Sequence, residues 1–389
     1  MSGERYALVA GGGTAGHLQP ALAIAEALVE AGHPRETIEF VGSARGQDRD
    51  TLEGRGFPTV LLPGRGVVRS LKPKHLFANA RASAELLAGA FSAYRVVTRA
   101  RPKVVVSVGG YASVGPALAA VVRGVPLVLV NVDAVPGAAN RLFARAARAC
   151  AVGWDGTPLP RATRTGTPVR PEIAKVGRSS AERRAARRAL GLLEDRPTVV
   201  IVGGSLGARS LNEAAVALAD LWADRDDRSI YHVVGRRDWD RFAPSGKVLA
   251  DEPGAAPSGL FSLRVPYEDR MELLYAAADV AVCRAGAMTV AELAVAGVPS
   301  VLVPLPGAPG DHQGANARVL AEAGGAVMVR DAACTGAALA DELDRLLADP
   351  AALPEMERAV HSLGRPEAAG AAARLVERSA RPPLTSGHR

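Results

Sequence analysis

Cysteine and aromatic residues are scarce: three Cys in 389 residues, and 4% Phe, Trp and Tyr. Cys150, Cys283 and Cys334 are too few and too scattered for a disulfide framework, and no CxxC pair marks a zinc site. A reducing compartment suits such a chain. Membrane-spanning runs are missing too. Tyr6–Ala25, Val104–Val122 and Leu293–Gly310 each lack Asp, Glu, Lys and Arg over 18 residues or more, a length that could span. The first, however, holds Gly11-Gly12-Gly13, the second Gly109-Gly110 and Gly115-Pro116, and the third four prolines. They read as buried strand, tight loop, then helix or strand. The first residues show no signal-peptide pattern, since only about five apolar residues precede the glycines. What is present is ordinary for a folded soluble chain: 48% hydrophobic and 22% charged residues, which excludes extensive disorder. The length suggests two domains, or three.

Acidic charge is in deficit, 40 Asp and Glu against 47 Lys and Arg, for a net +7. The imbalance is local. From Arg65 to Lys103 there are nine basic residues and one acid, Glu85, so this segment carries +8 and the rest of the chain −1. Its apolar residues include Leu71, Leu76, Phe77, Phe91 and Tyr94. Leu76–Arg101 contains no Pro and only Gly89, so most of it can be helical. A basic, apolar helix suits an anionic bilayer surface. A solvated surface helix is the plainer alternative. No nucleic-acid-reading motif accompanies the charge, so nucleic acid is not an expected partner.

Short apolar strands alternate with helical stretches throughout. The first half reads as strands at Tyr6–Ala10, Ile38–Val41, Thr59–Leu62, Val104–Val108, Leu127–Val130 and Cys150–Val152, with helices at Pro20–Ala31 and Pro116–Arg123. The second half reads as strands at Val199–Val202, Tyr231–Val234, Val280–Cys283 and Val301–Val303. Its helices read as Arg178–Arg188, Ala208–Leu221, Glu268–Ala277, Met288–Ala296 and Asn316–Ala323. This is an α/β chain of two doubly wound domains with parallel sheets covered on both faces. The expected division is 1–167 and 168–364, with a C-terminal helix near 365–379 packing back on the first domain and a disordered tail at 380–389.

Each half opens with a glycine turn between strand and helix: Gly11–Gly16, then His17, and Gly203–Gly207. Such turns bring backbone N–H groups to an anion at a helix N-terminus, and they also serve plain strand–helix packing. Neither is a Walker loop or a full GxGxxG, and the first half lacks the ribose-binding acid of a nicotinamide site. His17 is a candidate base or phosphate donor, or else a packing residue. Arg284–Glu292 repeats strand–Gly–helix: Thr289 and the N–H groups around Met288 can hold a phosphate, and Glu292 a ribose. The alternative is a capping box of Thr289 with Glu292. Asp311, His312, Gln313 and Asn316 cluster the donors and acceptors a sugar needs, with helix capping by Asp311 as the alternative. No metal-ligand spacing occurs, and no cofactor is expected.

Seven stretches, in order, resemble the MurG family of cytoplasmic glycosyltransferases. They are GGGTAGHLQPALAIAEAL at 11–28, SVGGYASVGPALAA at 107–120, DAVPGAANR at 133–141, TGTPVRPEI at 165–173, GGSLGARSLN at 203–212, CRAGAMTVAELAVAGVPSVLVPLP at 283–306 and DHQGANA at 311–317. The resemblance implies a GT-B fold, two Rossmann-like domains facing a central cleft, with the donor on the C-terminal one and the acceptor on the N-terminal one. It implies inverting transfer of N-acetylglucosamine from UDP-N-acetylglucosamine to the C4 hydroxyl of undecaprenyl-diphosphate-muramoyl-pentapeptide, lipid I to lipid II, at the cytoplasmic face of the membrane. It places Glu292 on the ribose and Glu268, in the loop Tyr267–Asp269, beside the uracil. Arg170, Ser205 and Thr289 fall by the donor phosphates, with Met288, Thr14 and Gly16 also on the donor, and His312 and Gln313 by the sugar with Asn316 supporting them. His17 becomes the candidate base, with Gly13, Ala15, Gly109, Gly110, Tyr111, Asn131 and Asp133 on the acceptor side. One departure stands out: Val130–Asp133 replaces the family's His-Glu-Gln-Asn. Asn131 or Asp133 can substitute, or the acceptor is another lipid or a natural product; a UDP-sugar epimerase is a further alternative.

Overall fold

The computed structural model describes residues 4–13, 15–44, 48–62, 88–204, 207–243 and 259–382. Thr14, Ser205 and most of the basic segment, Arg65, Arg69, Lys72, Lys74 and Arg81 included, lie outside the described residues. The chain divides into two compact units, Met1–Arg170 with Pro366–Arg389, and Pro171–Arg365.

In the first unit the described residues form a seven-stranded parallel sheet. Its strands are β1 (Ala7–Ala10), β2 (Ile38–Ser43), β3 (Thr59–Leu62), β4 (Val104–Ser107), β5 (Leu127–Asn131), β6 (Ala149–Val152) and β7 (Ala162–Arg164). The order is β3-β2-β1-β4-β5-β6-β7, with Ala7 paired to Ile38 on one side and Val104 on the other. In the second unit a six-stranded parallel sheet runs β10-β9-β8-β11-β12-β13. These are β8 (Thr198–Val202), β9 (Ser229–Val233), β10 (Phe261–Val265), β11 (Val280–Cys283), β12 (Ser300–Leu302) and β13 (Ala326–Met328). Both orders are doubly wound. The central strands β1, β4, β5, β8 and β11 are almost wholly buried, as near-continuous apolar runs require when helices cover both faces.

Three strands escape sequence reading: β7, β10 and β13. Each lies at a sheet edge and is partly exposed; β7 and β10 mix polar with apolar residues, and β13 is an apolar run of only three residues. Several helix starts also move. The first helix is Ala15–Glu30, beginning before Pro20, although Pro favours a first turn. The helix expected at Glu268 begins at Met271, and the one expected at Asn316 begins at His312. The arginine-rich helix is Ser180–Ala189, started by a capping box between Ser179 and Glu182, so Arg178 precedes it. The chain end returns to the first unit. Helix Ala368–Ser379 packs on Ala15–Glu30, where His33 stacks on Tyr6 at 3.6 Å and pairs with Glu377 at 3.0 Å. Residue 381, in the tail expected to be disordered, is tied down: Arg381 N–H donates to Lys103 O at 3.0 Å.

A buried polar pair positions the helix Arg209–Leu221, which follows the second glycine turn. Asn212 Nδ2 donates to Val234 O at 3.0 Å, so its Oδ1 accepts from His232 Nε2 at 2.9 Å. Burial, with Arg264 nearby, pushes the His232 pKa down to about 3. The unfolded chain binds a proton here near pH 6.5. Between those values the unfolded state holds the extra proton, so stability declines as pH falls through that window. Urea midpoints are expected to drop from pH 7 to pH 5, and less steeply for His232→Gln; an unchanged slope would contradict the assignment.

Candidate functional site

In the first unit, three turns follow the carboxyl ends of β1, β4 and β5. The β1 turn is held by Asp48, a buried carboxylate with 1% exposure. It accepts from Gly13 N–H at 2.9 Å and Ser43 N–H at 2.7 Å. A Cβ on Gly12 would collide with this carboxylate, and one on Gly13 would meet the Tyr111 ring. Tyr111 OH bonds Ser43 Oγ, so Asp48, Ser43, Tyr111 and Gly13 form one interlocked cluster. The turn after β4 is equally tight. A Cβ on Gly110 would lie 3.1 Å from His17 Nδ1 and 2.9 Å from Gly12 O, so the His17 ring packs on the Gly109-Gly110 backbone. His17 and the three turns are thereby brought together. At the end of β5, Asn131 is a buried scaffold residue: its Oδ1 accepts from Asn140 at 3.0 Å and its Nδ2 donates to Asp133 O at 2.6 Å. Asp133 is half-buried on the loop itself. Arg170, also half-buried, is the last residue of this unit before Pro171.

In the second unit the site forms around helix Ala287–Ala296. Its N-cap is Gly286, without a side-chain cap, and the first intrahelical bond runs from Val290 N–H to Gly286 O. The N–H groups of Ala287, Met288 and Thr289 precede that bond and point from the helix end. Thr289 is therefore inside the first turn, and the capping-box reading fails. Glu292 is instead buried, accepting from Tyr275 OH at 2.9 Å.

Tyr275 is fixed in turn. Arg178 Nη1 donates to Tyr275 O at 2.5 Å and Ala278 O at 2.8 Å, Arg183 to Ala278 O at 2.9 Å, and Arg187 to Ala277 O at 3.1 Å. Three guanidinium groups thus cap the carboxyl end of helix Met271–Ala277, where the helix dipole favours cations. Burial, then the neighbouring Arg183, pulls the Arg178 pKa down to about 10.

Asn316, buried, donates to Ala285 O at 3.2 Å and so ties helix His312–Glu322 to the turn after β11. Gln313 Oε1 accepts from Leu305 N–H at 2.9 Å, which orients its amide N–H₂ as the remaining donor. His312 Nδ1 donates to Pro309 O at 2.9 Å, directing Nε2 away from its own turn. Asp311 adopts a left-handed φ of 51° and makes no side-chain cap. Glu268 is committed to its own loop: it accepts from Arg270 N–H and Nε, each at 2.9 Å, and from Tyr231 OH at 2.7 Å. The Arg270 hydrogen bonds hold its carboxyl down at about 2. Sequence reading missed Asp48, Tyr275 and the three arginines. An acid at the start of a short helix, a tyrosine in an apolar helix and a basic helix face each look ordinary until folding brings them to the turns.

Residues 7–152 match the glycosyltransferase family 28 N-terminal domain, and residues 198–373 its C-terminal domain. The chain is 40% identical over 379 residues to a protein of Acidothermus cellulolyticus, covering 96% of this chain and 98% of that one. It is 37% identical over 378 residues to one from Desulforudis audaxviator, again covering 96% and 98%. Both relatives are named UDP-N-acetylglucosamine–N-acetylmuramyl-(pentapeptide) pyrophosphoryl-undecaprenol N-acetylglucosamine transferase. Among solved structures, Acinetobacter baumannii MurG superposes with a TM-score of 0.75 at 28% identity, covering 97% of this chain and all of that one. The calicheamicin glycosyltransferase CalG4 superposes at 0.64 with 17% identity, covering 97% and 100%, a likeness of fold alone.

Asp48→Ala removes the acceptor of two backbone N–H groups and is expected to cost about 2–4 kcal/mol in urea unfolding. Asp48→Asn should cost less, since its carbonyl still accepts. Equal stability of Asp48→Ala and wild type would refute the clamp.

Proposed function

Because the chain belongs to the MurG family of family 28 glycosyltransferases, we propose that it moves N-acetylglucosamine from UDP-N-acetylglucosamine to the C4 hydroxyl of the polyprenyl-diphosphate-linked muramoyl-pentapeptide, with inversion. The observation that carries this reading is the end-to-end match to relatives that bear this activity in their names. The parallel two-unit GT-B architecture agrees with it.

In a single displacement the acceptor hydroxyl attacks the anomeric carbon opposite the diphosphate. The new C–O bond forms as the bond to phosphate breaks, and UDP leaves with the electron pair. His17 takes the hydroxyl proton; its packing on Gly109-Gly110 keeps the ring beside the turns assigned to the acceptor diphosphate. The N–H groups of Ala287–Thr289, at the positive end of their helix, are assigned to the charge that builds on the departing diphosphate; by motif alone, Arg170, Ser205, Thr14 and Gly16 are assigned to the donor as well. Glu292, oriented by Tyr275, accepts from the ribose hydroxyls. His312 and Gln313 read the sugar, and Asn316 holds their helix in place. Glu268 shapes the loop beside the base through Arg270 and Tyr231. On the acceptor side, Asn131 fixes the loop and Asp133 stands on it, the pair replacing the motif missing at Val130–Asp133.

The same reading places the chain peripherally on the cytoplasmic face of an anionic membrane. No helix among the described residues is long and apolar enough to cross one. Helix 88–100 packs on helix Val114–Val122, with a Cβ on Gly115 lying 3.0 Å from Ala93 Cβ. The two leave Phe91 and Val122 exposed at 65% and 64%. Tyr94 and Leu118, one helical turn from them, and Val121, next to Val122, are exposed as well. Arg99, counted among the surface cations, pairs with buried Glu39 at 3.1 Å, beside Arg5 at the same distance.

With labelled UDP-N-acetylglucosamine and a lipid I analogue, the enzyme is expected to release UDP and label the acceptor; no transfer would overturn the assignment. His17→Ala should lower kcat by roughly 10²–10⁴, whereas Glu292→Ala should mainly raise KM for the donor. Phe91→Ser with Val122→Ser should weaken binding to phosphatidylglycerol vesicles without changing donor KM. A matched loss of both would place these residues in the fold and not on a membrane face.

A further inference from the structure

The first unit carries a second concentration of polar groups at the opposite edge of its sheet. Glu4 precedes β1, Lys103 immediately precedes β4, and Val125 lies just ahead of β5, so they sit at the amino ends of these strands. The turns bearing His17, Gly109 and Asp133 follow the carboxyl ends. At ~3.3 Å per residue, four-residue strands separate the two edges by about 13 Å. At the amino edge is a cavity of ≈ 360 Å³ lined by Arg101, Lys103, Arg123 and Arg381, with Glu4 as its acidic member and Val97, Thr98, Pro102, Val125 and Pro382 as the rest of its wall.

Three features set this cavity apart from an ordinary basic surface. First, its charge is not neutralised. Among the described residues Arg381 Nη2 bonds the carbonyls of Arg123 and Gly124, but the side chains of Arg101, Lys103 and Arg123 have no carboxylate or carbonyl partner. Second, Thr98 Oγ1 is buried without a hydrogen-bond partner. A buried hydroxyl left unpaired is costly and rare, and one lining a cavity is a ready donor. Third, Arg101 holds a left-handed φ of 45°, a strained state for a residue with a side chain. Helices 88–100 and Val114–Val122 both end here, and their dipoles call for some positive charge. Arg381, on the carbonyls, meets that demand for the second helix; one of the other three cations meets it for the first, and two remain in excess.

We propose that this cavity binds a phosphate group, gripped by Arg101, Lys103 and Arg123 with a hydrogen bond from Thr98. Its volume is at the small end of ligand pockets, enough for a phosphate or diphosphate head. Guanidinium forks suit the tetrahedral oxygens. The site is separate from the transferase turns and its occupancy does not depend on them.

Thermal midpoints at matched ionic strength test this, with inorganic phosphate against chloride, and vesicles with or without phosphatidylglycerol, as separate arms. A soluble source predicts a rise of about 3 °C at about 10 mM phosphate for a millimolar site, kept in His17→Ala and lost in Lys103→Gln with Arg123→Gln. A lipid source predicts no such rise, and vesicle binding that this double variant weakens while Phe91→Ser with Val122→Ser stays sensitive to the remaining cations. Thr98→Val guards against misfolding as the explanation: it should raise the midpoint without anion and shrink the phosphate-induced shift. No phosphate shift together with unchanged vesicle binding in Lys103→Gln/Arg123→Gln, or an equal shift in wild type and that variant, would overturn the site.

Discussion

Parallel pairing of short, fully buried strands is the constraint from which the rest of each unit follows. β1 lies between β2 and β4, and β8 between β9 and β11, each with a neighbour's ladder on both sides and helices on both faces. Such strands cannot carry polar side chains without burying them. The chemistry is therefore displaced into the turns at the strand ends. Because every strand in a unit runs the same way, the turns after β1, β4 and β5 share one edge, and likewise the turns after β8 and β11. Helix N-termini begin at those turns and supply unpaired N–H groups where an anion can approach.

Polar groups that are nevertheless buried come with partners, and those partners shape the site. Asp48 satisfies backbone N–H groups of the first glycine turn, so that turn is set before any ligand arrives. Gly13 is consequently a structural donor as well as a lining residue. Glu292 is held by Tyr275, whose carbonyl is held by Arg178. A chain of contacts thus links an arginine-rich helix, ordinary in composition, to the carboxylate assigned to the ribose. Removing one arginine leaves the others, whereas removing the Tyr275 hydroxyl leaves a buried carboxylate short of a donor.

Charge in the first unit is likewise divided by the fold. Arg5 and Arg99 pair with Glu39, a buried acid near the amino end of β2. Arg95 stays exposed beside apolar Phe91 and Tyr94. Arg101 and Lys103, a few residues later, turn to the far edge of the sheet and line a cavity with Arg123 and Arg381. A single run of basic residues therefore serves three environments: an internal ion pair, an exposed amphipathic face and a pocket.

Periodicity and punctuation alone were enough to read two doubly wound domains, ten of the thirteen strands among the described residues and the glycine turns, because buried parallel strands must be continuous apolar runs and glycine must mark the sharp exits. The motif residues His17, Glu292, His312, Gln313 and Asn316 were legible for a related reason: each stands in the first two turns of a helix that follows a strand. Of the four edge strands only β3 was legible, since β7 and β10 mix polar with apolar residues and β13 is three residues long. Nor were the long-range partners. Asp48 meets Gly13 across 35 residues, Tyr275 meets Glu292 across 17, and Arg178 meets Tyr275 across 97. Local sequence determines which segments extend, coil or turn, because those choices are made by backbone sterics and nearest neighbours. Which buried carboxylate meets which donor, and which cations are left without a partner, is decided only when packing closes those distances, because desolvation acts on the assembled environment and not on the residue.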